Sequence, residues 1–188
     1  MGSKRYRTQR LWHNTLMMVW ALPFLILPGV IASVSTGKFN TLVLLLCVSL
    51  IGIGLAALRD GRKTAIYAVD EERLMMSTPK AERTLMISEI RDASLIDRMG
   101  ARAYLTQFAA TRPSIPFKVQ RDEILQFCTV DIGLSTITLG AARRLIDRLP
   151  SAKTDLLLIR LRDGGVLLLS PLHAQDMVDT LGRRKLQS

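Results

Sequence analysis

The sequence predicts an α+β protein: a transmembrane hairpin of two helices, then a small antiparallel β domain closed by a C-terminal helix. Three observations predict it. Between Leu11 and Leu58 the only Asp, Glu, Lys or Arg is Lys38. After Arg59 the pattern changes to short β-forming runs separated by polar turns. Near the end, Gly164-Gly165 joins two apolar runs, and a segment with one apolar helical face follows.

The hairpin rests on length. A helix of about 20 mainly apolar residues crosses a hydrocarbon core, and the runs 11–34 and 39–58 both meet that need. A second span so soon after the first argues against a cleaved signal peptide. Trp12, His13, Asn14 and Thr15 have the character of a membrane interface. Pro23 and Pro28 each remove a backbone donor, which predicts a kink near Ala21–Phe24. Ser33–Asn40 is the turn, so the two helices run antiparallel. Gly52 and Ala56 form a small-x-x-x-small pair that Gly54 is expected to widen. Cys47 lies in the second span and Cys128 in the following domain, far apart and without metal spacing, so both read as small buried hydrophobes.

The formal charge of +10 is unevenly spread. Lys4, Arg5, Arg7 and Arg10 precede the first span without an acid, and Arg59, Arg62 and Lys63 follow the second against Asp60. Residues 64–188 keep only a small positive excess. Basic residues that flank spans set topology, whereas a nucleic-acid binder concentrates them on its folded surface. Both termini are therefore expected in the cytoplasm, with the turn outside a bacterial inner membrane. The chain divides into a basic cytoplasmic arm (1–10), the hairpin (11–58), a basic juxtamembrane linker (59–63) and a cytoplasmic domain (64–188) large enough for one core. Arg10, Trp12, Arg59, Arg62 and Lys63 are the candidate membrane-surface contacts. Each basic residue near an anionic surface contributes about 1 kcal/mol.

Within the domain, Thr64–Val69, Arg73–Ser77 and Thr84–Ser88 read as a meander broken at Asp70-Glu71-Glu72 and at Thr78–Glu82. Ile90–Asp97 and Ala103–Ala109 read as further strands, and Thr111–Pro116 as a loop around two prolines. Ile124–Val130 and Ser135–Leu139 read as strands on either side of Asp131-Ile132-Gly133. Ala141–Leu149 is a short helix stopped by Pro150. Its Arg143, Arg144 and Arg148 stand off the apolar face and are the candidate contacts to a protein partner. Asp155–Arg162 sets Leu157, Ile159 and Leu161 on one face and Leu158, Arg160 and Arg162 on the other. Asp163-Gly164-Gly165 is a hairpin turn into Val166–Ser170. Ser170 is placed as an N-cap with Pro171 at the first helical position. Ala174, Met177, Val178 and Leu181 form the buried face of the last helix. Arg183, Arg184 and Lys185 complement its dipole.

Ala65–Leu74, Leu85–Ile90 and Val166–Pro171 followed by Met177 and Leu181 together resemble the bacterial pleckstrin-homology-like domains of small membrane proteins. That resemblance spans roughly 64–186. It implies a partly open antiparallel β-barrel or sandwich capped by a helix, with two transmembrane helices before it. It implies no catalytic residues and no dependable ligand.

Chemistry-bearing patterns are sparse. His13 is expected at the membrane and His173 on the surface, so neither a metal set nor a His-based triad assembles. No Gly-rich phosphate loop has the right spacing. No aromatic stacking platform accompanies the arginines, which argues against nucleic acid. We expect no catalytic, cofactor-binding or metal residue. The expected function is a non-catalytic, membrane-anchored interaction or scaffold module, an accessory subunit or assembly factor of a membrane complex. Its partners are the bilayer, a protein or a second copy of the chain, and anionic lipid. An oligomeric transport or pore subunit is the alternative, weakened by the absence of Asp, Glu, Lys or Arg from both spans. A membrane-bound enzyme is the second alternative.

Overall fold

The computed structural model describes residues 3–9, 13–37, 39–62, 64–130, 132 and 155–186. The chain is α+β, with two long apolar helices followed by antiparallel sheets. It divides into two compact units, Trp12–Lys63 and Met1–Leu11 with Thr64–Ser188.

The first unit is the helix pair α1 (His13–Thr36) and α2 (Asn40–Gly61). Both are long and apolar enough to cross a membrane. Gly37, at φ 68°, ends α1, and its N–H donates to the Ser33 carbonyl at 2.9 Å, the left-handed stop that glycine adopts without strain. Pro23 and Pro28 lie inside an α1 assigned as one continuous helix. Close packing depends on small residues. A Cβ added at Gly29 would lie 2.5 Å from Leu45 Cδ1, and one at Gly52 would lie 3.0 Å from Met18 Cε. Ala56 is buried too, but Gly54 looks onto open space and does not widen that face. α2 also continues past Leu58 through Arg59 and Asp60, so the segment expected as linker begins as helix.

Among the described residues the second unit holds two sheets. In the first, the order is β1 (Lys4–Arg7), β2 (Ile66–Val69), β3 (Arg73–Thr78) and β4 (Ala81–Met86), all antiparallel. Lys4–Arg7, expected as part of an arm, is thus a strand of the domain. Its one apolar residue, Tyr6, points inward with Tyr67, Val69, Leu74, Met76 and Leu85. A 3₁₀ turn (Ile87–Glu89) leads into the second sheet: β5 (Ile90–Ile96), β6 (Leu156–Leu161) and β7 (Val166–Leu169). The β6–β7 turn is closed by Gly164 N–H to the Leu161 carbonyl at 3.2 Å, with Gly164 at φ 82°. Among the described residues the sheets do not close into a barrel.

The β6 strand explains the domain's layering. Leu157, Ile159 and Leu161 face the four-stranded sheet, as their alternation predicts. Leu156 and Leu158 face the other way, yet they are equally buried, against α3 (Arg98–Ala110) and the segment Ile124–Ile132. The alternation sets Leu158 on that face with Arg160 and Arg162, and Leu158 is buried there. The β6 strand is covered on both sides, which makes it a near-continuous apolar run.

Three expectations are corrected here. Ala103–Ala109 is not a strand but the body of α3. Its Ala101 and Leu105 repeat at helical spacing over the second core, and the Asp97 carboxylate caps the Gly100 N–H at 2.8 Å. Ile124–Val130 is likewise not a strand: Ile124 ends α4 (Phe117–Ile124), and a turn follows. The last helix, α5 (Ala174–Lys185), starts later than expected, with His173 at its N-cap and no side-chain cap. Ser170 and Pro171 have other partners. Ser135–Leu139 and Ala141–Leu149 lie outside the described residues.

Candidate functional site

The helix pair is inserted between β1 and β2, two strands that pair directly, Arg7 opposite Ile66. The β1 strand continues as Thr8 and Gln9, which bind the exit of β7. Gln9 N–H donates to the Ser170 carbonyl at 2.8 Å, Leu172 N–H donates to the Arg7 carbonyl at 2.7 Å, and Thr8 bridges Pro171. The buried Gln9 side chain donates from Nε2 to the carbonyls of Asp155 at 3.0 Å and Pro171 at 2.9 Å.

A knot of hydroxyls lies beside Gln9. Each hydroxyl carries one proton, so the directions can be assigned. Tyr67 donates to the Phe127 carbonyl at 2.6 Å and accepts from Ser170 N–H at 3.2 Å. Thr129 Oγ1 donates to the Gln9 carbonyl at 2.8 Å. Ser170 Oγ then donates to Thr129 Oγ1 at 2.7 Å and accepts from Thr129 N–H at 3.0 Å. Burial, the largest influence, pushes the Tyr67 phenol well above its ordinary value. This is why Ser170 is not a helix cap: its hydroxyl is committed to the knot. Sequence reasoning passed over Gln9 and Thr129 because isolated polar residues carry no periodic signal.

The hairpin has its own clasp. Asp60, buried in the last turn of α2, accepts from Asn14 Nδ2 at 2.6 Å, Thr15 N–H at 2.9 Å and Thr15 Oγ1 at 3.0 Å. Thr15 N–H is one of the first-turn donors that a helix cannot satisfy by itself. A carboxylate beside the positive end of α1 is also favoured electrostatically.

Two concave surfaces are lined by described residues of the domain. A cleft of about 390 Å³ runs beside β4, the edge strand of its sheet, with Leu85 and Leu161 among its lining residues. Arg83, Arg162, Glu89 and Asp163 line it with both signs of charge, and Ser88 completes it. Arg162 N–H, held to the Glu89 carbonyl at 2.9 Å, ties the β6 exit to the 3₁₀ turn. A broader groove of about 720 Å³ is acidic, with Asp155, Asp176 and Asp179 beside His173. Asp176 is engaged by Lys4 at 2.7 Å, which holds its carboxyl below the usual range. Among the described residues, no group of three or more His, Cys, Asp or Glu gathers to hold a metal.

Of the expected membrane-surface contacts, Arg59 is exposed in the last turn of α2 and Arg62 is exposed at its C-cap. Arg10, Trp12 and Lys63 lie outside the described residues, as do Arg143, Arg144 and Arg148. His173 is exposed and Cys128 half-buried, while Cys47 faces outward from α2 instead of being buried. The chain matches no protein-family model, no curated protein and no solved structure.

Proposed function

We propose that this chain is a non-catalytic, membrane-anchored interaction module, an accessory subunit or assembly factor of a bacterial inner-membrane complex. The observation that carries it is the pairing of β1 with β2. If α1 and α2 both cross the bilayer, the residues before the first span and those after the second must share one face for these strands to pair. The basic flanks assign that face to the cytoplasm. A pleckstrin-homology-like reading of the domain is supported by its partly open set of antiparallel strands with a helix at the C-terminus. The cleft beside β4, a strand edge left unpaired among the described residues, offers that edge and mixed charges to an extended segment of a protein partner.

Photo-crosslinking residues placed at Arg83 and Arg162 in native membranes test this reading. The expected outcome is one defined protein captured from both positions and lost when β4 is capped by Thr84→Pro. Crosslinks to lipid alone, or none, would remove the interaction module and leave only the anchor.

A further inference from the structure

Among the described residues, nothing covers the outer face of the four-stranded sheet. Alternation along its strands points Tyr67, Val69, Leu74 and Met76 into the core and leaves Ile66, Ala68, Met75 and Met86 outside. The register makes these outer residues neighbours: Ala68 stands opposite Met75, and Ile66 precedes Ala68 on the same face. Ile66, Met75 and Met86 remain 58%, 36% and 38% exposed. Arginines surround them. Arg5 stands opposite Ala68, Arg7 opposite Ile66, and Arg73 opposite Met86. All three are exposed, and among the described residues no ion pair engages them. Within the strands Glu82 is the one acid on this face, and Asp70, whose N–H donates to the Arg73 carbonyl at 2.8 Å, follows Ala68 on the same side at the β2–β3 turn.

We propose that this face docks on the surface of an anionic bilayer, with Ile66, Met75 and Met86 at the headgroup–acyl boundary and Arg5, Arg7 and Arg73 among lipid phosphates. The chemistry fits that occupant: apolar side chains rimmed by cations suit an interface that is apolar below and anionic above. This inference rests on the hairpin being a membrane anchor, as proposed above.

The test uses the full chain in nanodiscs, with Cys47 and Cys128 replaced by alanine and a nitroxide at Met75→Cys. Carbonate extraction from native membranes first establishes the anchor separately. On discs containing phosphatidylglycerol, collisions with dissolved oxygen should rise and collisions with a water-soluble nickel chelate should fall. A control label at Asp163→Cys should stay aqueous. Each arginine contributes roughly fivefold to the docked population. Arg5→Gln, Arg7→Gln and Arg73→Gln together should lower it on the order of 100-fold, and the matching lysine variants should keep it. Equal nickel accessibility on anionic and on phosphatidylcholine discs, in a protein still resistant to carbonate, would overturn the docking and leave the anchor. Protection that persists in lipid-free micelles would also overturn it, assigning the face to a second copy of the chain.

Discussion

Arg7 and Ile66 stand opposite each other in one antiparallel strand pair, although the entire two-helix insertion separates them in the chain. A β-hairpin has accepted a helical hairpin in place of its turn. Both inserted ends are secured: Thr8 and Gln9 to the β7 exit on the domain side, and Asn14 and Thr15 to Asp60 on the helix side. The residues from Lys4 to Gln9 are therefore part of the folded domain.

Replacing residues 10–64 with a flexible linker of about eight residues should give a soluble domain that unfolds cooperatively. Residues 64–188 alone should not, because β2 would lose its partner and Tyr6 would leave the core. Thermal melts by circular dichroism compare the two. Equal stability without residues 1–9 would mean that β1 contributes nothing to the fold.

The buried knot should be costly to break. Tyr67→Phe strands the Phe127 carbonyl and Ser170 N–H, and Ser170→Ala strands Thr129, each costing about 1–3 kcal/mol. The two changes should couple, since they share Ser170. Tyr67 also predicts alkaline behaviour. Its folded value is raised, so its contribution is whole below about pH 10 and lost as pH rises through the folded value. The difference in phenolate absorbance between wild type and Tyr67→Phe should therefore stay flat until alkaline unfolding. An early rise would show a phenol open to solvent.

How far the sequence carried depends on how local each signal is. The helix pair was legible because uninterrupted apolar length needs no context, and the β6–β7 turn because Gly164 and Gly165 mark it. α3 was not: Tyr104, Thr106 and Phe108 favour strands locally, and only the second core beneath β6 selects the helix. β1 was hidden for another reason. Its arginines also carry the flanking-charge signal, and a strand with Tyr6 as its single apolar residue shows no alternation to count. The knot and the clasp join residues whose meaning appears only once distant segments meet.

The Lys4–Asp176 pair fastens the start of β1 to α5 and gives a pH window. Its hydrogen bond is the main reason that the Lys4 value is raised and the Asp176 value lowered. Asp176 contributes above about pH 4, its unfolded value, and that is lost as pH falls through the depressed folded value. Lys4 contributes below about pH 10, and that is lost as pH rises through the raised one. Both partners are exposed, so the effect is small. Melting midpoints of wild type and Lys4→Gln should differ between these limits and converge beyond them. A constant difference across pH would assign the effect to packing of Lys4 on the Tyr6 ring, 5.3 Å away.

Asp60 gives the sharpest test of the helix pair. Asp60→Ala leaves Thr15 N–H and the Asn14 amide without their acceptor in a half-buried place, at a cost of about 1–3 kcal/mol. Asp60→Asn keeps one acceptor oxygen and should lose less. Arg59→Ala, one residue away and exposed, should lose almost nothing. Equilibrium unfolding of the full chain in mixed micelles, followed by energy transfer between labels on α1 and α2, ranks the three. If Arg59→Ala separated the helices as readily as Asp60→Ala, the flanking charge and not the clasp would be holding the hairpin closed.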